Sequence, residues 1–152
     1  MTSKKGLEFM KEYLDFSKEP LPDVDWSEGA PFWEGTRRGE IRFPKCQDCN
    51  QFHWYPCTVC PFCYSSNIKW QALTSQAKLF TWTYVNYHLP IVTIRGPLIV
   101  ILVEFEEAPG LYLTSNLVDC RPEHVYIGMP LEVVYQQVND KLTIPLFKPL
   151  KD

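Results

Sequence analysis

The sequence predicts a mainly β protein in which N-terminal helices precede a small metal-centred ribbon and a closed five-stranded barrel. Three observations lead there. Five of the six cysteines crowd between Cys46 and Cys63, and they include two C-x-x-C pairs. Apolar and alternating runs bounded by turn formers fill the chain after Gln76. Helical periodicity is confined to the first forty residues. With 152 residues, 45% hydrophobic and 22% charged, the chain is long and apolar enough to bury a proper core as one compact domain or two very small ones. The segments divide as 1–40 (helical), 41–75 (ribbon) and 76–152 (barrel).

In the helical segment, Leu7, Met10 and Leu14 recur at i, i+3 and i+7, Phe9, Tyr13 and Phe16 widen the stripe, and Ser3 is available as a cap. This predicts an amphipathic helix from Ser3 to Ser17, its broad apolar face lying either on the core or on a partner. Pro20 and Pro22 among acidic residues read as an extended linker. Pro31 then opens a second, short helix through Phe32 to Arg38, with Gly39 placed to end it. Phe32 and Trp33 are candidates for a partner surface or for the core.

The pairs Cys46-Gln-Asp-Cys49 and Cys60-Pro-Phe-Cys63 supply the four thiolates that a tetrahedral structural zinc site requires. A disulfide framework does not suit the reducing compartment expected here. Asn50, after the first pair, tolerates the left-handed conformation such turns adopt. Ten residues separate the pairs, room for a two-stranded excursion with Phe52-His53-Trp54-Tyr55 as its β-rich part. This is the pattern of a rubredoxin-like zinc ribbon. Two alternatives stay open: Cys57-x-x-Cys60 is equally well spaced, and His53 is a possible nitrogen ligand. Pro61 pre-sets a turn inside the Cys60–Cys63 pair and favours it as the second pair. A site with all four positions filled stabilises a fold rather than activating water.

The strands predicted beyond the ribbon run from Ile68 to Leu73, Leu79 to Tyr87, Leu98 to Phe105, Leu111 to Val118, Leu131 to Val138 and Leu142 to Phe147. Ala108-Pro109-Gly110 and Asn139-Asp140 read as hairpin turns, and Arg121 to Gly128 as a longer connection with one helical turn begun by Pro122. Five antiparallel strands in so short a chain leave costly edges unless they close, and the commonest closed form of that size is the Greek-key OB-fold barrel.

Charge narrows the function classes. The balance of 15 Lys and Arg against 18 Asp and Glu leaves a net −3, and the isoelectric point near 5.6 disfavours nucleic acid as a partner. Arg37, Arg38, Arg42 and Lys45 form a local exception that reads as a solvated face or as a seat for one phosphorylated small molecule. The longest apolar run, Leu98 to Val103, is too short to cross a membrane, and Met1 to Glu8 lacks signal-peptide character, so a cytoplasmic protein is expected. No nucleophile elbow, phosphate-binding glycine loop or paired carboxylates stand out. His88 and His124 read as isolated structural residues, and Cys57 or Cys120 would serve as a nucleophile only with a depressed thiol pKa. The expectation is that no residue of this chain is catalytic.

The order of motifs resembles a family of zinc-ribbon plus OB-fold proteins catalogued as domain of unknown function thirty-five and described as acyl-CoA-associated. The likeness covers most of the chain. It rests on Phe32-Trp33-Glu34-Gly35, Cys46-x-x-Cys49, Phe52-His53, Cys60-Pro-Phe-Cys63, Phe80-Thr81-Trp82-Thr83 and Val103-Glu104-Phe105. It continues through Thr114-Ser115-Asn116-Leu117-Val118-Asp119, Ile127-Gly128-Met129-Pro130-Leu131-Glu132-Val133 and Leu146-Phe147-Lys148-Pro149. Family members usually carry glycine after each cysteine pair and a basic residue where this chain has Cys57. Here Asn50 and Tyr64 replace the glycines, a departure that bears on knuckle geometry rather than on the ligand set.

The resemblance implies a non-catalytic accessory subunit with structural zinc. It would bind acyl-CoA and a thiolase-like (lipid-transfer-protein-like) catalytic partner, in aldol cleavage or thiolysis of a CoA thioester such as a steroid side chain. Some relatives assemble with MaoC-like enoyl-CoA hydratases. On that reading Arg37 and Arg38 are candidate CoA contacts, as is Arg95, the one cation of the loop from Tyr87 to Pro97, which is expected over a ligand-facing mouth; a plain surface arginine is the alternative. The rival reading is a single-stranded nucleic-acid module, since ribbons and OB folds both serve there with stacked aromatics.

Overall fold

The structure is a computed structural model, and residues 20–74, 76–86 and 98–151 are described. The amphipathic helix expected from Ser3 to Ser17, the loop carrying His88 and Arg95, and the end of the strand predicted to reach Tyr87 lie outside those residues. Among the described residues, no helix is long and apolar enough to cross a membrane.

Helix α1 (Ala30–Arg37) begins with Pro31 in its first turn and buries Phe32, Gly35 and Thr36. Gly39 ends it at φ +76°, with its N–H donating to the Thr36 carbonyl at 3.1 Å. Gly35 lets the helix approach the following chain closely, since a Cβ there would sit 2.9 Å from the Glu40 carbonyl oxygen.

The ribbon is framed by β1 (Ile41–Cys46) and β2 (Ile68–Leu73), an antiparallel pair in continuous register from Ile41–Leu73 to Cys46–Ile68. The sequence does not signal strand β1, because Pro44 interrupts its pattern; in a two-stranded sheet each strand has an outer edge where a missing N–H is tolerated. Conversely, Phe52 to Tyr55 is not the strand expected. It contributes one isolated bridge, Lys45–Phe52, and the His53 N–H reaches the Pro44 carbonyl at 3.2 Å.

Five strands close the barrel in the order β3-β4-β5-β7-β6: β3 (Ala77–Val85), β4 (Leu98–Phe105), β5 (Ala108–Leu117), β6 (Pro130–Gln137) and β7 (Thr143–Pro149). The expectation of an all-antiparallel barrel needs one correction, since β5 and β7 meet in parallel at Leu117–Phe147. The 3₁₀ turn Pro122–His124 lies in the connection from β5 to β6, and β6 then pairs antiparallel with β7, which lies beside β5. A second correction concerns the β4–β5 hairpin, whose turn is Glu106-Glu107. Ala108 already pairs with Phe105, and Pro109, Gly110 and Leu111 occupy the irregularity before Tyr112 pairs with Glu104. The turn at Asn139 forms as expected, the Asn139 side-chain oxygen accepting the N–H groups of Lys141 and Leu142.

Alternation along β4 sends Ile99, Ile101, Val103 and Phe105 inward. Aromatic contacts carry this core into the ribbon: Phe147 to Phe105 at 6.4 Å, Phe105 to Phe43 at 5.3 Å, and Phe43 to Trp54 at 5.3 Å between ring centres. Phe32 joins at 4.8 Å from Trp54 and is 3% exposed, and Trp33 packs partly buried against the same core. Phe32 is therefore core, and Trp33 packs on the core with part of its side chain left exposed.

Candidate metal centre

The end of β1 delivers Cys46, fully buried, into a tight turn that the Cys46 N–H closes on the Gln51 carbonyl at 3.0 Å. The second turn repeats the device, with the Cys60 N–H donating to the Ser65 carbonyl at 2.8 Å. Each turn needs a left-handed residue just after its second cysteine, and Asn50 (φ +60°) and Tyr64 (φ +61°) provide it. The knuckles are then tied to each other by Asp48. Its carboxylate accepts hydrogen bonds from the Ser65 hydroxyl and, at 3.0 Å, from the Asn67 side-chain amide, and these hold its pKa below the ordinary carboxylate value. Spacing rules offer no signal for this clip, which pairs residues seventeen and nineteen positions apart.

The result is a cluster of Cys46, Cys49, Cys60 and Cys63 whose sulfurs all lie within 4.8 Å of one another. Cys46 Sγ lies 3.6 Å from Cys63 Sγ, and Cys49 Sγ lies 3.6 Å from Cys60 Sγ. A tetrahedron with metal–sulfur bonds of about 2.3 Å has edges of about 3.8 Å, so the donor set fits zinc. Acidity agrees with that fit. The Cys49 backbone N–H, against burial and with the Asp48 N–H, brings the Cys46 thiol down to about 7. At Cys63 the Ser65 N–H pulls down, but burial and the other three sulfurs push the thiol up to about 12. Four thiols this close resist joint ionisation, and a dication offsets that repulsion.

Cys57 stands outside the cluster, exposed, its thiol donating to the Val59 carbonyl at 3.0 Å. His53 is not among the clustered ligand atoms either. It is 4% exposed, and burial lowers its pKa, which favours the uncharged ring.

Three of the four basic residues have partners of their own. Arg37 donates to the Lys141 carbonyl at 2.8 Å, Arg42 pairs with Glu40 at 2.7 Å, Lys45 sits over the Phe52 ring, and Arg38 is exposed at the end of α1. At the far end of the β6–β7 hairpin, Cys120, Arg121, His124, Tyr126 and Met129 line a groove of about 470 Å³. His124 is thus less isolated than the sequence suggests. Burial, with Glu123 nearby, raises the Cys120 thiol, the opposite of what a nucleophile needs.

Two family models match the chain. Residues 33–68 match the family described as "ChsH2, rubredoxin-like zinc ribbon domain", and residues 70–136 match "ChsH2, C-terminal OB-fold domain". A probable enoyl-CoA hydratase alpha subunit of Thermomonospora curvata is 30% identical over 131 residues, which cover 86% of this chain and 40% of that protein. A DUF35 domain-containing scaffold protein of Methanocaldococcus jannaschii is 28% identical over 97 residues, covering 63% of this chain and 67% of that one. Among solved structures, a chain of the Ltp2-ChsH2(DUF35) aldolase superposes with a TM-score of 0.73 at 24% identity, covering 86% of this chain and 98% of that one. A DUF35-family protein of unknown function from Sulfolobus solfataricus gives 0.60 at 15%, covering 94% and 97%. These last two are likenesses of fold.

Proposed function

The chain belongs to the family built from a ChsH2-type rubredoxin-like zinc ribbon and a ChsH2-type OB-fold domain, and from that membership we propose that it is a non-catalytic accessory subunit of a thiolase-like enzyme. The observation that carries the proposal is the closed sulfur cluster. Zinc held by Cys46, Cys49, Cys60 and Cys63 would have every coordination position filled by protein, and would brace the ribbon against the barrel rather than act on a substrate. The scaffold-protein relatives and the fold shared with a chain of the Ltp2-ChsH2 aldolase support the same reading. The hydratase alpha subunit, of which this chain spans 40%, supports a MaoC-like hydratase as a further partner.

Within this reading the ligand is an acyl-CoA and the partner's reaction is aldol cleavage or thiolysis of a CoA thioester, such as a steroid side chain, in the cytoplasm. Arg38 and Arg95 are the proposed contacts for the CoA phosphates. Arg37 is a third, although its bond to the Lys141 carbonyl already engages it in the fold. Titration of the full chain with CoA tests these contacts. Affinity unchanged in both Arg38→Ala and Arg95→Ala removes the assignment.

The accessory role is tested by assaying a thiolase-like subunit from the same genome with and without this chain. We expect the chain alone to turn over no acyl-CoA and the partner's activity or solubility to depend on it. Full activity of the partner by itself, or thioester cleavage by this chain alone at ordinary enzyme rates, overturns the proposal.

A further inference from the structure

The twenty residues from Cys49 to Ile68 contain no Asp, Glu, Lys or Arg, in a chain that is 22% charged. The same stretch carries four exposed apolar side chains within ten positions: Tyr55 at 72%, Val59 at 42%, Phe62 at 61% and Tyr64 at 82%. Exposed aromatics with charge excluded are the composition of an interface centre rather than of a solvated surface. An aromatic side chain buries roughly 150–250 Å² when covered, so Phe62 and Tyr64, two positions apart on the second knuckle, could by themselves supply a substantial part of the ~800 Å² that each partner buries in an ordinary stable complex.

Tyr64 makes the case sharper. Its backbone is left-handed, the conformation that glycine adopts without penalty, and its ring lies almost wholly in solvent. The fold therefore gains nothing visible from a tyrosine here and bears a conformational cost for it. The surface is also held ready, because the Asp48, Ser65 and Asn67 clip fixes the two knuckles relative to each other before any partner arrives.

We propose that this knuckle face, centred on Phe62 and Tyr64, is the docking surface for the catalytic subunit, and that it meets an apolar, uncharged patch there. The inference rests on the accessory-subunit reading. The scarcity of charge selects the occupant: the stretch itself carries none, and Asp48 beside it is engaged by Ser65 and Asn67, whereas a nucleic acid would call for cations beside the aromatics, and a charged protein surface would leave its own ions unpaired on burial.

The test uses the full, zinc-loaded chain and a thiolase-like subunit from the same genome, with affinity measured by biolayer interferometry and mass by light scattering. Phe62→Ser combined with Tyr64→Gly is expected to weaken the complex at least tenfold while zinc content and Tm hold, and Tyr64→Phe to bind as the parent does. Equal affinity of the double variant and the parent overturns the docking face and leaves the accessory reading standing. If the parent chain itself does not bind, both fall. If the double variant instead abolishes self-association, or binding to single-stranded RNA, with partner affinity unchanged, the face belongs to that occupant and the proposal fails.

Discussion

Along β4 every second residue from Ile99 to Phe105 is buried, whereas between Asn50 and Asn67 only His53, Pro56 and Cys60 are. The barrel is held by apolar side chains that water rejects. The ribbon knuckles are held by four sulfurs, a carboxylate clip and backbone hydrogen bonds, with their apolar side chains turned outward. A unit of this size cannot enclose enough apolar surface to fold by burial alone, so it uses ligands and polar ties, and its aromatic surface is left for other contacts. The barrel also leaves apolar side chains in solvent, Phe80 on a strand and Tyr126 and Ile127 in the connection to β6 among them, but closing the sheet commits its whole inner face to a core that the knuckles lack. The two modes meet at Phe43, which belongs to a ribbon strand yet lies against Phe105 of the barrel.

The largest expected effect separates the two regions. Cys49→Ser, or removal of the metal by a chelator, is expected to take zinc from one per chain to none and to unfold the knuckles while the barrel keeps its β-type circular dichroism. A structural zinc contributes on the order of 10 kcal/mol to folding in small metal-bound units. Metal content by mass spectrometry, beside amide spectra of the two regions, checks it. Metal lost in Cys57→Ser but kept in Cys63→Ser would show that the ligand set is misassigned.

Next comes the joint. Phe43 is fully buried and touches both halves, so Phe43→Ala should cost about 3–5 kcal/mol and lower the stability of ribbon and barrel together in one urea transition. Two separate transitions in the parent protein would mean that the halves do not share a core.

The smallest effect is a pH dependence confined to the ribbon. Burial holds the His53 ring below its unfolded pKa of about 6.5, so the folded state takes up a proton less readily than the unfolded one. Its contribution is therefore fully present above about pH 6.5 and is lost as pH falls from there through the folded value. The fall in Tm between pH 7.5 and 5.5 should be shallower in His53→Phe than in the parent, with zinc saturating in both. Parallel slopes would remove His53 from the account.

Much of this molecule is legible in the order of its residues. The cysteine spacing marks a tetrahedral donor set, Asn50 marks a left-handed turn, and the limits of β2 and β4 follow from alternating or apolar runs bounded by turn formers, because each of these depends on near neighbours. Other features needed the folded chain. The choice of Cys60 and Cys63 over Cys57 depends on which sulfurs converge, and two equal spacings cannot decide that. Strand β1 was hidden by Pro44, whose tolerance rests on its place at a sheet edge. The β4–β5 turn moved to Glu106-Glu107 because burying Ala108 draws it into the strand.

The assignment of aromatics to core or surface was likewise tertiary. Phe32 has the composition of an interface and lies inward, with Trp33 half-buried beside it, while Phe62 and Tyr64, equally apolar, lie in solvent. Sequence by itself determined which local conformations and which donor types this chain offers, since these arise from side-chain chemistry over a few residues. Only the tertiary structure decided which of those residues meet, because burial and ligand geometry depend on distances between segments that the chain brings together when the barrel closes.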